Sequence, residues 1–186
     1  QTEWWYYTGN LQAEDGNRFG YQLTFFRRSL QPIKNIEERP SQWASSQVYM
    51  AHFALSDIDG QQFRAYERLA RGAAGLSGAR AAPYRVWLQD WSVEELGPNT
   101  LGFPTYRLTA AQGEIKLELI LDDRKGPIAQ GDQGFSRKGP EAGQASYYYS
   151  LTQLKSSGEV VIGEKSYRVD GFSWMDHEFS TSALAP

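Results

Sequence analysis

Residues 18–27 read R-F-G-Y-Q-L-T-F-F-R, and the alternation within them decides the fold. Phe19, Tyr21, Leu23 and Phe25 fall on one face of an extended chain, Gln22 and Thr24 on the other. A period of two with aromatic residues on one side is the pattern of a half-buried β-strand. The pattern repeats outward in both directions. T-E-W-W-Y-Y-T precedes it, followed by G-N and the turn-like E-D-G-N. V-Y-M-A-H-F-A-L-S-D comes after it and ends in D-I-D-G, a hairpin turn into Q-F-R-A-Y-E-R-L.

Further strands are expected at Y-R-V-W-L-Q-D-W-S-V, T-Y-R-L-T-A, E-I-K-L-E-L-I-L, S-Y-Y-Y-S-L-T-Q-L, E-V-V-I and Y-R-V-D-G-F-S-W-M-D-H-E-F. About nine or ten strands joined by short turns favour closure into an antiparallel β-barrel, because closure removes exposed edges. The first and last strands should then pair or nearly pair. Only E-R-L-A-R-G-A-A-G-L and A-R-A-A permit helix, and their glycines weaken it. Segments 29–46 and 123–145 are long, polar and contain Pro and Gly, so they are expected as rim loops.

Composition narrows the function classes. The 186 residues carry 19 basic and 22 acidic side chains, a net charge of −3, which gives no phosphate-tracking surface and no reason to expect nucleic acid. Aromatic residues make up 14% of the chain, enough to build a sizeable core or to line an apolar cavity. The chain has no cysteine, so disulfides and thiolate metal sites are unavailable. No run of 18 apolar residues is present to form a helical membrane span. Because the sequence opens at Gln1 rather than Met, a processed N-terminus and a periplasmic or secreted location are expected.

Chemistry concentrates in G-F-S-W-M-D-H-E-F-S, residues 171–180. Alternation puts Phe172, Trp174, Asp176 and Glu178 on one face and Ser173, Met175, His177 and Phe179 on the other. If Trp174 faces the barrel interior, both carboxylates do too, and His177 points away. A carboxyl beside an apolar cavity is a candidate general acid, which marks Asp176 and Glu178. The alternative is a structural network with Arg or Tyr partners. G-F-S-W-M is no nucleophile elbow, since Met175 stands where a glycine is required. H-E-F-S-T is no zinc motif, since Thr181 replaces the second histidine, and His52 and His177 are too few for a histidine-rich metal site. His52 is a relay candidate if it meets Asp176 or a tyrosine, and otherwise a packed residue. Trp5, Tyr21, Tyr147, Tyr149 and Trp174 are the candidate ligand-binding aromatics; Tyr147 and Tyr149 share a face that Tyr148 does not.

Six motifs in order carry a resemblance. E-W-W-Y-Y-T-G-N-L, R-F-G-Y-Q-L-T-F-F-R, Q-V-Y-M-A-H-F-A-L-S-D, G-F-S-R-K-G, A-S-Y-Y-Y-S and G-F-S-W-M-D-H-E-F-S together resemble the carotenoid 1,2-hydratase-like (hydroxyneurosporene synthase) and AttH family, from residue 3 to residue 184. Bacterial members are often labelled predicted secreted hydrolases. The resemblance implies two lipocalin-like β-barrels in tandem, with residues 1–186 as the first. It also implies an apolar, isoprenoid- or polyketide-like ligand, and neither a metal nor an organic cofactor. In the hydratase branch an Asp in a Tyr-x-Asp motif is the proposed proton donor, and its place here is Trp174-x-Asp176. An upstream His-x-Trp pair of that branch falls on Tyr147-x-Tyr149, so the groups that would steady a cation differ.

Two functions follow as expectations. One is acid-assisted hydration, hydrolysis or isomerisation of an apolar small molecule, with Asp176 protonating and Glu178 or His52 tuning. The other is a non-catalytic carrier that holds such a ligand in the barrel. The resemblance also leads us to expect a second barrel, supplied by further chain beyond S-T-S-A-L-A-P or docked on an apolar patch.

Overall fold

The computed structural model describes residues 1–30, 45–140 and 144–180. Most of the loop expected at 29–46, part of that at 123–145, and the tail from 181 lie outside the described residues. Within them the chain is all β-strand and turn, with no helix. The strands in chain order are β1 (Thr2–Ala13), β2 (Arg18–Ser29), β3 (Gln47–Asp57), β4 (Gln62–Arg71), β5 (Ser77–Ala81), β6 (Tyr84–Leu88), β7 (Trp91–Pro98), β8 (Pro104–Gln112), β9 (Ile115–Asp123), β10 (Pro127–Ala129), β11 (Phe135–Arg137), β12 (Ala145–Ile162) and β13 (Lys165–Ser180).

One antiparallel sheet runs β4-β3-β2-β1-β13-β12-β9-β8-β7-β6-β5 and curls into a nearly closed barrel. The first and last strands pair, as expected, along the full length of β1. Their junction lies mid-sheet, and the seam falls instead between β4 and β5. Arg68 on β4 reaches across that seam, donating to the Ala111 carbonyl at 3.0 Å and Gln112 Oε1 at 2.8 Å and pairing with Asp90. Its guanidinium lies 4.1 Å from the ring centre of the fully buried Trp91. An inward-pointing charge of this kind blunts an open strand edge.

Four sequence expectations change. S-Y-Y-Y-S-L-T-Q-L and E-V-V-I, expected as separate strands, form one continuous strand, β12. Y-R-V-W-L-Q-D-W-S-V is two strands, β6 and β7, because Gln89 takes a positive φ of 57° and turns the chain with Asp90. The helix-permissive E-R-L-A-R belongs to β4 and A-R-A falls in β5, where ladder pairing overrides propensity. Segment 123–145 is more than a rim loop: it contributes β10 and β11, both paired to β12.

The interior is filled by the odd-numbered residues of β1, β2 and β3. Trp5, Tyr7, Leu11, Phe19, Tyr21, Leu23, Phe25, Phe53 and Leu55 are all buried there. Gly9 belongs to this row because a Cβ would lie 2.5 Å from Ser173 Oγ and 2.7 Å from the Tyr21 ring. Its absence lets the Tyr21 hydroxyl donate to Ser173 at 2.7 Å. A bulge between Leu151 and Leu154 shifts the inward set of β12 from odd positions (Tyr149, Leu151) to even ones (Leu154, Ser156, Val160). At that bulge β12 exchanges one neighbour for another: β9 flanks its second half, β10 and β11 its first.

Candidate functional site

The end of β13 carries two polar clusters, one on each face. Register with β1 fixes which is which: Tyr7 pairs with Met175 and Trp5 with His177, and these are inward residues. Trp174, Asp176 and Glu178 therefore point outward.

On the outer face, Asp176 stands opposite Ser150 of β12, and Glu178 opposite Tyr148. Asp176 Oδ1 accepts from the Ser150 hydroxyl at 2.5 Å, the Trp174 indole N–H at 2.7 Å and the Tyr148 hydroxyl at 3.0 Å. Its Oδ2 accepts from no described residue. Glu178, although on this face, is buried beneath the β11 segment, where its Oε1 accepts from Ser146 and pairs with Lys138 Nζ at 2.6 Å. Gln130 donates to Ser150 at 3.0 Å, so residues following β10 and β11 both feed the cluster. Burial raises the Tyr148 phenol, a hydrogen bond to Ser150 opposes this, and the Asp176 carboxylate adds to it. Phe172 and Trp174 flank these groups as exposed rings.

On the inner face, His177 Nε2 meets Glu3 Oε1 at 2.8 Å, and Glu3 also pairs with Arg27 of β2. Trp5 stacks on the imidazole at 5.1 Å with 15° between planes, and Tyr149 meets it edge-on at 5.0 Å. Deeper in, the Tyr7 and Tyr84 hydroxyls lie 2.6 Å apart, and Tyr84 packs edge-on against Tyr106 at 5.5 Å. Burial is the main cause that raises the phenols of Tyr7, Tyr84 and Tyr106, and it pushes Tyr149 up to about 12, with the Glu3 charge assisting there. These tyrosines are neutral hydroxyls at physiological pH. Beside Tyr149 opens a cavity of ≈ 430 Å³. A larger groove of ≈ 890 Å³ lies toward the other end of β1 and β13, around Asn10, Phe19 and Phe172.

The sequence-predicted residues divide between these clusters. Trp5, Tyr21 and Tyr149 are interior, and Tyr147, of the same parity, sits exposed at the strand end against Phe179. Trp174, Asp176 and Glu178 do not join them: the expectation that the two carboxylates face the barrel interior, with His177 outside, is reversed. Both faces of β13 carry aromatics, and the sequence alone favoured the wrong one. His52 is also outward, edge-on to Phe26 at 5.3 Å. It shares a row with Asp176 through Tyr6 and Thr24, three strand spacings or about 14 Å away, so the two do not touch. Sequence reasoning missed Glu3, Arg27 and Lys138, whose partners are distant in the chain. It also missed Ser146, Tyr148 and Ser150, for which a signal existed: S-Y-Y-Y-S puts three hydroxyls on one strand face.

Comparison with known proteins agrees with this architecture. The sequence model of one family, described as AttH-like, matches residues 1–186. The crystal structure of a Nitrosomonas europaea protein, provisionally assigned as an AttH, is 35% identical. It aligns over 100% of this chain and 53% of its own, with a TM-score of 0.79. Kievitone hydratase from Nectria haematococca is 10% identical over 98% of this chain and 49% of its own, with a TM-score of 0.71, a likeness of fold. The chain spans about half the length of these solved structures. A search among curated proteins finds no match.

Proposed function

The chain belongs to the AttH-like family, and from that premise we propose that it binds an apolar small molecule against the outer face of β13 and that Asp176 passes a proton to it. The observation that carries this reading is the asymmetry of the Asp176 carboxylate. Three donors, the Trp174 indole among them, converge on Oδ1, while Oδ2 has no described partner. A proton on Oδ2 can be delivered to a carbon–carbon double bond, and the donors on Oδ1 then stabilise the carboxylate left behind. The Trp174 ring faces the carbocation so formed, which aromatic faces stabilise. Attack by water with return of a proton to Asp176 gives hydration; loss of a neighbouring proton gives isomerisation. Glu178, tied to Lys138, positions the strand end and supplies a nearby negative charge.

This chemistry sits on an outer face, so it needs a cover. A second lipocalin-like barrel of the same protein, or an equivalent docking partner, supplies it. Support comes from the half-length match to the solved structures and from the exposed rings of Phe172 and Trp174. The fold shared with a protein named as a hydratase favours water addition over hydrolysis. A periplasmic or secreted setting goes with this reading, and cell fractionation tests it.

The test is incubation of the full-length protein in D₂O with myrcene and farnesol, followed by mass spectrometry. Deuterium should enter the products, and Asp176→Asn should lower the rate by about 10²–10⁴-fold with the fold intact. No Asp176-dependent deuterium would defeat the reading. A second reading, a non-catalytic carrier, is favoured by the interior cavity of ≈ 430 Å³. An apolar ligand that co-purifies and is recovered unchanged in native mass spectrometry would support it.

A further inference from the structure

The pocket beside Tyr149 borders a carboxylate, Asp123, that neither cluster uses. It opens where β12 changes neighbours at its bulge, between the end of β9 and the start of β10. Its walls are Pro104, Tyr106, Asp123, Pro127, Ala129, Tyr149 and Leu151, and its volume is ≈ 430 Å³. Most of this lining is apolar, but three oxygen-bearing side chains border it. Asp123 is completely buried, at 0% exposure. Its Oδ1 is occupied, accepting the backbone N–H groups of Lys125 and Gly126 at 3.0 Å each in the turn between β9 and β10. Its Oδ2 is buried with no hydrogen-bond partner. The hydroxyls of Tyr106 and Tyr149, on the same cavity, donate to no described residue.

A buried carboxylate oxygen without a donor is costly, and native proteins rarely leave one. Shaping the turn explains only Oδ1. We infer that this cavity is a binding site for a compact apolar alcohol or phenol, whose hydroxyl donates to Asp123 Oδ2 and accepts from Tyr106 or Tyr149. A ligand carboxylate is disfavoured, because it would put a second negative charge beside the buried Asp123 carboxylate. Size sets a further limit. Small-molecule pockets span about 300–1,000 Å³, so this one suits a ligand of roughly ten carbons and not a long polyene. The phenols support the assignment: Tyr149 titrates only at about 12 and Tyr106 is raised mainly by burial, so both keep the proton they would donate.

The inference rests on the barrel as a binder of apolar molecules, but not on chemistry at Asp176. Its test is calorimetric titration of the full-length protein with three probes sharing a ten-carbon skeleton: geraniol, geranic acid and myrcene. Geraniol should bind about 10–100-fold more tightly than either of the others, the worth of a hydrogen bond to a charged acceptor. Asp123→Asn keeps an acceptor for the Lys125 and Gly126 N–H groups and presents an amide donor in place of Oδ2. It should therefore reverse the order, with geranic acid binding better than geraniol. Ala129→Phe, on the exposed edge of the cavity, should abolish binding of all three without loss of fold. Equal binding of the three probes by the wild-type protein would overturn the hydroxyl assignment while leaving apolar binding intact. Failure to bind any probe would overturn both. A folded Asp123→Asn variant that keeps the wild-type order would also refute it.

Discussion

The two faces of β13 solve the same problem in different ways. Outward, Asp176 and Glu178 draw on one adjacent strand segment, where Ser146, Tyr148 and Ser150 alternate opposite them. Inward, His177 depends on Glu3 and on Trp5 from the far end of the chain. The outer network is drawn from adjoining strands and has the exposed Trp174 at its rim, although Ser146, Ser150 and Glu178 within it are buried. The inner cluster is built into the core and joins β1, β2, β12 and β13 at one end. Polar groups tie strands together on the inner face, and on the outer one they surround Asp176, the residue for which proton transfer is proposed.

Four experiments sharpen or break this contrast. The largest effect is expected at alkaline pH. Burial raises the phenols of Tyr7, Tyr21, Tyr84 and Tyr106, and Tyr149 reaches about 12. The unfolded chain gives up these protons near pH 10, before the folded state does. Stability is therefore complete below about pH 10 and falls as pH rises through the folded values, by roughly 1.4 kcal/mol per pH unit for each interior tyrosine. Urea titrations from pH 8 to 12 should show the loss. Tyrosinate absorbance that rises to completion by pH 11 with the fold intact would show that the inner face is not sealed.

Next comes a pair of tryptophans. Trp5→Ala empties a core position and should cost about 3–5 kcal/mol. Trp174→Ala, on a ring 37% exposed, should cost no more than about 1 kcal/mol. Similar losses from the two would end the distinction between the faces. Glu3→Gln is expected to follow at about 2 kcal/mol, since it strips the buried carboxylate that pairs with Arg27 and hydrogen-bonds His177. The outer counterpart, Glu178→Gln, loses a carboxylate just as buried and should cost about 1–2 kcal/mol, since Ser146 keeps an acceptor while the partly exposed Lys138 loses its charge partner. Chemical denaturation ranks the two. The smallest change in stability is expected for Asp176→Asn, within about 0.5 kcal/mol, because the amide oxygen still accepts from the donors on Oδ1. A thermal melt lowered by many degrees would mark Asp176 as a structural anchor and count against the proton-transfer reading.

Much of the barrel is legible in the amino-acid sequence. The runs V-Y-M-A-H-F-A-L-S-D and Q-F-R-A-Y-E-R-L flank D-I-D-G, and the sheet pairs them within β3 and β4 with the turn where those residues predict it. The site is legible only in part. Trp5, Tyr21 and Tyr149 stand out by alternation and are interior, but the Asp123 cavity gives no signal, because it depends on a bulge and on a strand that changes neighbours. Nor can Glu3 be linked to His177, since 174 positions separate them and no local pattern encodes the contact.

Residue type and alternation by themselves determined where the strands lie and which residues share a face, because side-chain direction along a strand is a local property with a period of two. They also identified the family through six ordered motifs. Only the tertiary structure decided which face of β13 is inside. Phe172 and Trp174 on one side and Met175 and Phe179 on the other make the two faces nearly equal in apolar character. The choice is made across the ladder: pairing with β1 aligns Met175 and His177 with Tyr7 and Trp5, and burying those two large rings outweighs any preference within β13 itself.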